Sequence, residues 1–269
     1  MHTPDFSVLC SLYYKEQPDF LNACLESISN QTLLPSEVVI VHDGPLTGEL
    51  YKVLNRWKVQ LPLKEVILKE NVGLGKALNI GLESCSHELV IRVDTDDINL
   101  PHRFYEQVEF MQSNPDVAVS SGHIEEFHHC PTSPSNIRKV PVQNLKVQSL
   151  KRNPINHMAC IFLKSKIIAA GGYKHLMFME DYYLWLRVLA NGLKIKNLNK
   201  VLVKARTGNG MLERRRGIVY AKSELKLMKS IYKLGLTKNP IILSRFILRS
   251  GSRLLPKQAL KLVYKTQRK

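Results

Sequence analysis

Three aspartates stand within four positions in the segment IRVDTDDINLP: Asp94, Asp96 and Asp97. They follow the apolar run ELVI and Arg92, a pattern typical of a buried strand that ends in polar residues. Like charges this close repel, so we expect a compensating partner: a bound cation, the N–H groups of a helix start, or water. Carboxylates at the mouth of a sheet suit Mg²⁺ or Mn²⁺, which also bind phosphate oxygens. Such an ion would neutralise a departing diphosphate, and the alternative is an exposed acidic turn or a doubled helix cap.

Polar residues also close two earlier strands. Asp43 and Gly44 end the predicted strand EVVIVHDG, and Asn71 and Gly73 follow the predicted strand LKEVILK. Ligands of parallel sheets bind at the carboxyl ends of the strands. Because the acidic segment also follows a strand, we expect these three strand ends to converge on one crevice.

Strands and helices alternate in the sequence from residue 6 to residue 122. Continuous apolar runs predict five strands, within residues 6–14, 37–44, 63–69, 88–94 and 116–122. Helical spacing of apolar residues predicts helices within residues 19–31, 47–57, 71–85, 100–112 and 178–192. This order indicates an α/β fold in which a mostly parallel sheet carries helices on both faces.

Residues 123–156 are polar and proline-rich, so we expect an irregular excursion from the sheet. His123, His128, His129 and Cys130 have metal-ligating side chains. Adjacent ligands rarely reach one ion, however, and the sequence has no CxxC or HxxxH partner for them. We therefore favour a solvated loop over a metal site.

The composition fits one large domain, or one domain with a tail: 269 residues, 44% of them hydrophobic. Five scattered cysteines without a CxxC pair argue against a disulfide framework or a zinc ribbon, and for a reducing compartment. The segment MHTPDFSVLC lacks the basic and apolar regions of a signal peptide, and no segment approaches the roughly 18 apolar residues of a membrane span. We expect a cytoplasmic protein.

The net charge of +16 lies entirely in the last quarter of the chain. Residues 1–200 carry 21 basic and 21 acidic side chains, whereas residues 201–269 carry 18 basic and 2 acidic ones. Such a region favours an anionic partner: phospholipid, nucleic acid or a phosphorylated substrate.

Basic residues recur at every fourth position near the C-terminus, beside apolar ones: Arg245, Arg249, Arg253, Lys257, Lys261, Lys265 and Lys269. This spacing predicts a basic amphipathic helix, split in two at Pro256. Helices of this kind lie in the interface of an anionic membrane. The alternative, which is compatible with the first, is that the apolar stripe packs on the body and the charges face water.

Residues 7–45, 69–104 and 178–192 together resemble the family 2 glycosyltransferases of the GT-A fold, in particular the bacterial enzymes of O-antigen and exopolysaccharide synthesis, such as the amylovoran type. The resemblance covers roughly residues 5–210. It implies a GT-A domain over residues 1–210, with a nucleotide-sugar half at about 1–122 and an acceptor half at about 123–210. The remaining residues, 211–269, would form a basic helical extension.

The resemblance implies a UDP-sugar donor, with UDP-galactose slightly favoured over UDP-glucose and UDP-N-acetylhexosamine. Asp43 matches the family's uracil-reading aspartate. The positions that match the family's nucleoside and donor contacts are Ser11, Tyr13, Glu16, Asn71, Gly73 and Lys76. Arg92 and Asp94 would hold the ribose or pyrophosphate.

The resemblance also implies a divalent cation, Mg²⁺ or Mn²⁺, with Asp96 as its first ligand and Asp94 and Asp97 close beside it. Glu180 and Asp181 match the family's acidic pair at a helix start, where one carboxylate is the base, and we expect that base to be Asp181. It would deprotonate an acceptor hydroxyl that displaces UDP in one inverting step, giving a β-linkage from an α-linked donor. The alternative is a pair of helix caps.

Two further segments resemble the acceptor side of the family. Asn156 and His157, in NPINHMACIFLK, are candidate acceptor-site residues, and the alternative for His157 is a structural histidine. The arginines of RTGNGMLERRRG are candidates to close over a donor or acceptor diphosphate, and the alternative is a solvated basic turn: Arg206, Arg214 and Arg215. The HxxH and QxxRW motifs of related synthases are absent.

We therefore expect a metal-dependent enzyme that moves a hexose or N-acetylhexosamine from a UDP-sugar to a saccharide on polyprenyl diphosphate, peripheral on the inner face of the bacterial inner membrane. One alternative is a nucleic-acid-binding module, although we expect no nucleic acid because the tail lacks interleaved aromatic residues. A second is a sugar-1-phosphate nucleotidyltransferase, although LYYKEQPDF is not its glycine- and base-rich phosphate loop. A third is a catalytically silent scaffold.

Overall fold

The computed structural model describes residues 4–207, 215–256 and 258–259. Its strands are β1 (Phe6–Leu12), β2 (Glu37–His42), β3 (Leu63–Ile67), β4 (Leu89–Arg92), β5 (Ile98–Asn99), β6 (Val117–Ser120), β7 (His123–Phe127), β8 (Asn136–Arg138), β9 (Ile161–Leu163), β10 (Lys194–Ile195) and β11 (Val201–Arg206). The five strands predicted before residue 123 are present as β1, β2, β3, β4 and β6. Each is shorter than its apolar run.

The helices are α1 (Pro18–Ser29), α2 (Gly48–Trp57), α3 (Leu74–Ser84), α4 (Arg103–Ser113), α5 (Leu145–Ser149), α6 (Lys164–Ala169), α7 (Glu180–Ala190), α8 (Ile218–Lys233) and α9 (Pro240–Ser252). A 3₁₀ turn covers His157–Ala159. Pro18 stands in the first turn of α1, where its missing N–H is not needed. The five predicted helices correspond to α1, α2, α3, α4 and α7.

The larger sheet has seven strands in the order β10-β6-β9-β4-β1-β2-β3. All its pairings are parallel except those of β9, which runs antiparallel to both β4 and β6. Val8 and Leu9, neighbours on β1, are both fully buried and belong to different core clusters on the two faces of the sheet. Helices α1, α2 and α4 pack on one face, and α3, α6 and α7 on the other. The predicted α/β fold, a mostly parallel sheet with helices on both faces, is confirmed.

Residues 123–138 are not the irregular excursion that the sequence predicts. They contribute β7 and β8 to a second sheet of four strands, in the order β5-β11-β7-β8. His123 is buried, its Nε2 lies 2.9 Å from Asn199 Oδ1, and its Nδ1 accepts a hydrogen bond from the Val140 amide. Both ring nitrogens are therefore engaged within the fold. Of the four metal-ligating side chains named for this segment, His128, His129 and Cys130 are exposed, as expected.

The C-terminal helices pack against the body. Tyr220, Leu227 and Ile231 of α8, together with Phe246 of α9, form one core cluster with residues that include Tyr182 of α7. Helix α9 ends before Pro256, as predicted. Within the part of the chain described by the structure, no helix is both long and apolar enough to cross a membrane. Residues 257 and 260–269, which carry the later basic repeats, lie outside the described ranges.

Candidate active site

One cleft of about 1700 Å³ opens at the carboxyl ends of β1, β2 and β4. Every residue predicted for the site, among those described, lines it: Ser11, Tyr13, Glu16, Asp43, Asn71, Gly73, Lys76, Arg92, Asp94, Asp96, Asp97, Asn156, His157, Glu180, Asp181, Arg206 and Arg215. Arg214 lies outside the described residues. The expected convergence of strand ends is therefore present, because parallel strands place their carboxyl ends on one edge of the sheet.

The three aspartates after β4 gather in one place. Asp94, Asp96 and Asp97 each offer a carboxylate oxygen, and these oxygens lie within 4.8 Å of one another. Arg92, which is fully buried at the end of β4, forms an ion pair with Asp94. One arginine thus offsets one carboxylate and leaves two more in the cluster.

Burial and repulsion disfavour the charged forms of the remaining two carboxylates. Burial, with the charges of Asp94 and Glu16, raises the pKa of Asp96 to about 7. Burial, with the charges of Asp94 and Asp96, raises the pKa of Asp97 well above its usual range. A divalent cation bound between the three oxygens would relieve this repulsion. The donor set, three carboxylates without nitrogen or sulfur, fits Mg²⁺ or Mn²⁺.

Arg206, at the end of β11, joins this cluster to the second sheet. Its backbone N–H donates to Asp97 Oδ1 over 2.7 Å, and its Nε donates to the Asp96 carbonyl oxygen over 3.2 Å. Its guanidinium carbon lies 3.8 Å from the ring centre of Phe20 and 4.7 Å from that of Phe127. The guanidinium is therefore held over two aromatic rings beside the carboxylates. Sequence reasoning identified Arg206 but neither aromatic partner.

Asp43 ties the end of β2 to the turn that follows β3. Its two carboxylate oxygens accept hydrogen bonds from the amides of Val72, at 2.7 Å, and Gly73, at 3.2 Å. Asn71 Nδ2 donates to the Asp43 carbonyl oxygen. Gly73 has a φ of +87°, which favours glycine, and it immediately precedes α3. Asp43 is 4% exposed and retains further acceptor lone pairs for a ligand.

The remaining donor-side candidates surround this turn and β1. Ser11 lies near the end of β1, and Tyr13, just beyond it, is 42% exposed. Glu16 Oε2 accepts a hydrogen bond of 2.6 Å from Thr95 Oγ1, so the loop after β1 is tied to the aspartate segment. Lys76 stands exposed in the first turn of α3.

Glu180 and Asp181 form the first turn of α7. Asn153 Nδ2 donates to Asp181 Oδ2 over 2.7 Å. Burial raises the pKa of Asp181, and the hydrogen bond from Asn153 and the charges of Arg138 and Arg215 oppose that rise. Burial also raises the pKa of Glu180, and the neighbouring Asp181 charge adds to it. Sequence reasoning missed Asn153, a loop residue whose only signal was its place before Pro154.

Asn156 and His157 line the cleft, but both are engaged with the fold. The Asn156 amide nitrogen donates to the carbonyl oxygens of Gly122 and Arg138. His157 Nε2 lies 2.8 Å from the hydroxyl of Tyr173, and burial lowers the pKa of His157 well below its usual range. These contacts describe a neutral His157 that positions Tyr173. A direct role of Asn156 or His157 in acceptor binding therefore stays a prediction.

The basic side chains of α9 face the cleft and the body of the protein. Arg245, Arg249 and Arg253 line the cleft, and the last two bind the buried carboxylate of Glu224. The exposed large apolar side chains of α9 are Ile241, Ile247 and Leu248, and Arg245 is exposed as well. The alternative in which the charges of this helix face water does not hold for Arg249 and Arg253, because both bind the buried carboxylate of Glu224 on α8.

A mostly parallel sheet with an aspartate cluster after its central strand, facing an acidic helix start across a cleft, defines a glycosyltransferase of the GT-A fold. The chain belongs to glycosyl transferase family 2, whose model matches residues 9–170. Solved structures support the fold. TarS residues 1–349 from S. aureus, in complex with UDP-GlcNAc, superposes with a TM-score of 0.71 at 20% identity, covering 93% of this chain and 74% of that one. The mannosyltransferase PcManGT from Pyrobaculum calidifontis, in complex with GDP-Man and Mn²⁺, superposes with a TM-score of 0.68 at 18% identity, covering 99% of this chain and 81% of that one.

Curated relatives resemble the chain over nearly its whole length. It is 44% identical to the amylovoran biosynthesis glycosyltransferase AmsE of Erwinia amylovora, covering 98% of this chain and 99% of that protein. It is 42% identical to the Escherichia coli UDP-Gal:alpha-D-GlcNAc-diphosphoundecaprenol beta-1,3-galactosyltransferase, covering 98% and 96%. The resemblance to bacterial exopolysaccharide glycosyltransferases is thereby confirmed.

Proposed function

We propose that this glycosyltransferase is metal-dependent and inverting, and that it moves a hexose from a UDP-sugar to a saccharide carried on a polyprenyl diphosphate. The observation that carries the proposal is the cluster of Asp94, Asp96 and Asp97 in the same cleft as Asp181. A metal–diphosphate site and a general base are the two elements that an inverting transfer from a nucleotide-sugar requires.

On the donor side, the chain's own residues bind and orient the nucleotide. Asp43, fixed by the turn after β3, accepts a hydrogen bond from the uracil, and Tyr13 packs against the nucleoside. Asp96, with Asp94 and Asp97, would hold Mg²⁺ or Mn²⁺, and such an ion would neutralise the charge of the departing diphosphate. Arg92 holds Asp94 in place by its ion pair.

On the acceptor side, Asp181 takes the proton from the attacking hydroxyl. The hydrogen bond from Asn153 orients its carboxylate. Burial raises the pKa of Asp181, which makes it more basic than an exposed aspartate. The hydroxyl oxygen then bonds to the anomeric carbon as the bond to UDP breaks, so the anomeric configuration inverts. Glu180, beside Asp181, is the second candidate for the base.

The choice of donor and acceptor follows the activity named for the E. coli relative, which transfers galactose from UDP-Gal to a GlcNAc diphosphoundecaprenol. We propose UDP-galactose as the donor and a lipid-linked saccharide as the acceptor. A peripheral position on the inner face of the inner membrane follows from an acceptor of that kind. The exposed Ile247 and Leu248 of α9, within the basic segment 211–269, would face the anionic lipid surface.

The test is a calorimetric titration of UDP into the protein, with and without Mn²⁺, repeated with Asp96→Asn. We expect Mn²⁺-dependent binding that is lost in Asp96→Asn and kept in Asp116→Asn, a matched change at an exposed carboxylate paired with Lys194. Transfer is then followed with UDP-galactose and a synthetic GlcNAc diphosphate ester, and the product anomer is read by NMR. UDP binding that is indifferent to Mn²⁺ and to Asp96→Asn would refute the metal site. An α-linked product would refute inversion.

A further inference from the structure

The wall of the cleft formed by α9, by the chain just after α5 and by the chain just before α8 is strongly cationic. It carries six basic side chains: Lys151, Arg152, Arg215, Arg245, Arg249 and Arg253. Glu224, buried beneath it, binds Arg249 and Arg253 and so offsets one of these charges. Arg245 and Arg152 are exposed to the cleft. A concave surface of this charge fits an anion such as a diphosphate.

This wall lies close to the proposed base. Arg249 Nη1 donates to the carbonyl oxygen of Lys151 over 3.0 Å, which fixes α9 against the end of α5. Asn153, two residues further along, donates to Asp181. Two residues of chain span at most about 7 Å. The backbone of Lys151, which α9 contacts, therefore lies within about 7 Å of the backbone of Asn153, the residue that holds the proposed base.

The same wall has an exposed apolar rim. Phe178 is 44% exposed and Leu248 is 73% exposed, and both line the cleft, as does Met177. Phe178 has a φ of +66°, a conformation that is costly for a bulky side chain, and its ring stacks on Tyr220 with the centres 5.3 Å apart. The fold thus holds an aromatic ring at the rim at an energetic cost. Clustered exposed apolar side chains of this kind mark a binding surface.

We propose that this wall is the subsite for the lipid diphosphate of the acceptor: Arg245 and Arg152 bind the diphosphate, and Phe178 and Leu248 contact the adjoining part of the lipid chain. The proposal rests on the proposed function, which supplies the acceptor class. The donor diphosphate belongs at the aspartate cluster, and the base must lie between the two substrates. A second anion site in the same cleft, on a wall where α9 contacts Lys151 two residues before Asn153, is therefore assigned to the acceptor.

The first experiment measures binding rather than transfer. Octyl diphosphate is titrated calorimetrically into the protein saturated with UDP and Mn²⁺. We expect Arg245→Ala and Arg152→Ala each to weaken its binding about 10- to 100-fold, as for a lost charge-assisted hydrogen bond. Lys229→Ala, the same charge change at an exposed position of α8 outside the cleft lining, should bind it as the parent protein does. UDP affinity should be unchanged in all three variants.

The second experiment separates the lipid contact from the charge. Octyl diphosphate should bind more tightly than butyl diphosphate, by about fourfold for each methylene that is buried. Leu248→Ser should remove part of this gain without changing the affinity for butyl diphosphate. Equal affinity of the two esters for the parent protein would overturn the lipid contact.

Separate results would overturn the proposed diphosphate subsite. It is overturned if the parent protein binds no octyl diphosphate, or if Arg245→Ala and Arg152→Ala bind it normally. It is also overturned if these variants weaken UDP binding instead, since the arginines would then serve the donor. The proposed function is judged separately by the Mn²⁺-dependent binding of UDP and by transfer. An enzyme that transfers sugar but binds no alkyl diphosphate would refute the subsite alone.

Discussion

Asn153 donates a hydrogen bond of 2.7 Å to the carboxylate of Asp181, and this contact stabilises the ionised form of the proposed base. Because burial raises the pKa of Asp181 and the Asn153 hydrogen bond lowers it, the pKa in the protein reflects both effects. Asn153 also accepts a hydrogen bond from the Ile155 amide, which holds the loop in position. The residue therefore sets both the orientation and the basicity of the carboxylate.

Removal of this contact should move the pH dependence of the reaction. In Asn153→Ala the pKa of Asp181 should rise, since a hydrogen bond that favours the charged form is lost. The base is active when ionised, so the acidic limb of the kcat profile should shift to higher pH. We also expect kcat at neutral pH to fall roughly tenfold, as for a lost hydrogen bond to a charged group. The measurement is a pH–rate profile of both proteins.

Asn191→Ala is the control, because Asn191 is an exposed residue at the other end of α7. Its acidic limb should coincide with that of the parent protein. An acidic limb that stays in place or moves to lower pH in Asn153→Ala would contradict the assignment of Asp181 as the base held by Asn153.

The sheet and the donor side of the site were predictable because their signals are local. Neighbouring residues such as Val8 and Leu9 are both buried, on opposite faces, so the buried strands appear as continuous apolar runs. Polar residues then mark where each run ends. Because the carboxyl ends of parallel strands share one edge of the sheet, the sequence alone places the aspartate segment and Asp43 in one crevice.

The second sheet was not predictable in the same way. Its strand β7 contains the buried polar residues His123 and Glu126, so it lacks the apolar run of the other strands. Its partners β5 and β8 have two and three residues, and β11 lies far along the chain. Long-range pairing rather than local pattern makes these segments strands.

One residue explains why Arg249 and Arg253 point into the protein. Glu224 is one of two acidic residues among the last 69, and it is fully buried between Arg249 and Arg253. The four-residue spacing predicts that these arginines share a face of the helix, but it does not say what that face contacts. The scarcity of acidic residues in this basic segment was the available signal.

Gly44 should be intolerant of a side chain. It has a φ of +86°, and a Cβ placed there would lie 2.8 Å from the Asn71 amide nitrogen, in the backbone that Asp43 holds. We expect Gly44→Ala to lower the free energy of unfolding by about 1–3 kcal/mol through backbone strain and to weaken UDP binding. Gly48→Ala, in a helix and with no atom within 4 Å of its Cβ, should be neutral or stabilising. Denaturant unfolding measures both, and equal stability of the two variants would contradict the role given to the turn.

The guanidinium of Arg206 should contribute to nucleotide binding through its position over the two aromatic rings. In Arg206→Ala the backbone hydrogen bond to Asp97 remains, so the change isolates the side chain. We expect about tenfold weaker binding of UDP with Mn²⁺ in a calorimetric titration. Arg206→Lys should recover little of this loss, since an ammonium lacks the planar surface that stacks on Phe20 and Phe127. Lys200→Ala, at an exposed position just before β11, is the control, and full recovery by lysine would show that charge alone matters.

Glu224 should be essential for the stability of the C-terminal helices. Its carboxylate is fully buried and accepts hydrogen bonds from Arg249, at 2.7 and 3.0 Å, and from Arg253, at 2.7 Å. In Glu224→Gln both arginines lose their charged partner while partly or fully buried, which costs about 3–5 kcal/mol in comparable cases. We expect a Tm several degrees lower, and increased protease cleavage within α8 and α9 before the sheet unfolds. Glu83→Gln, at an exposed position of α3, should leave both the Tm and the protease cleavage unchanged.

Because Arg249 also fixes α9 to Lys151, Glu224→Gln should weaken octyl diphosphate binding while UDP binding is retained. Loss of both ligands together would instead indicate that the two sides of the cleft unfold as one unit.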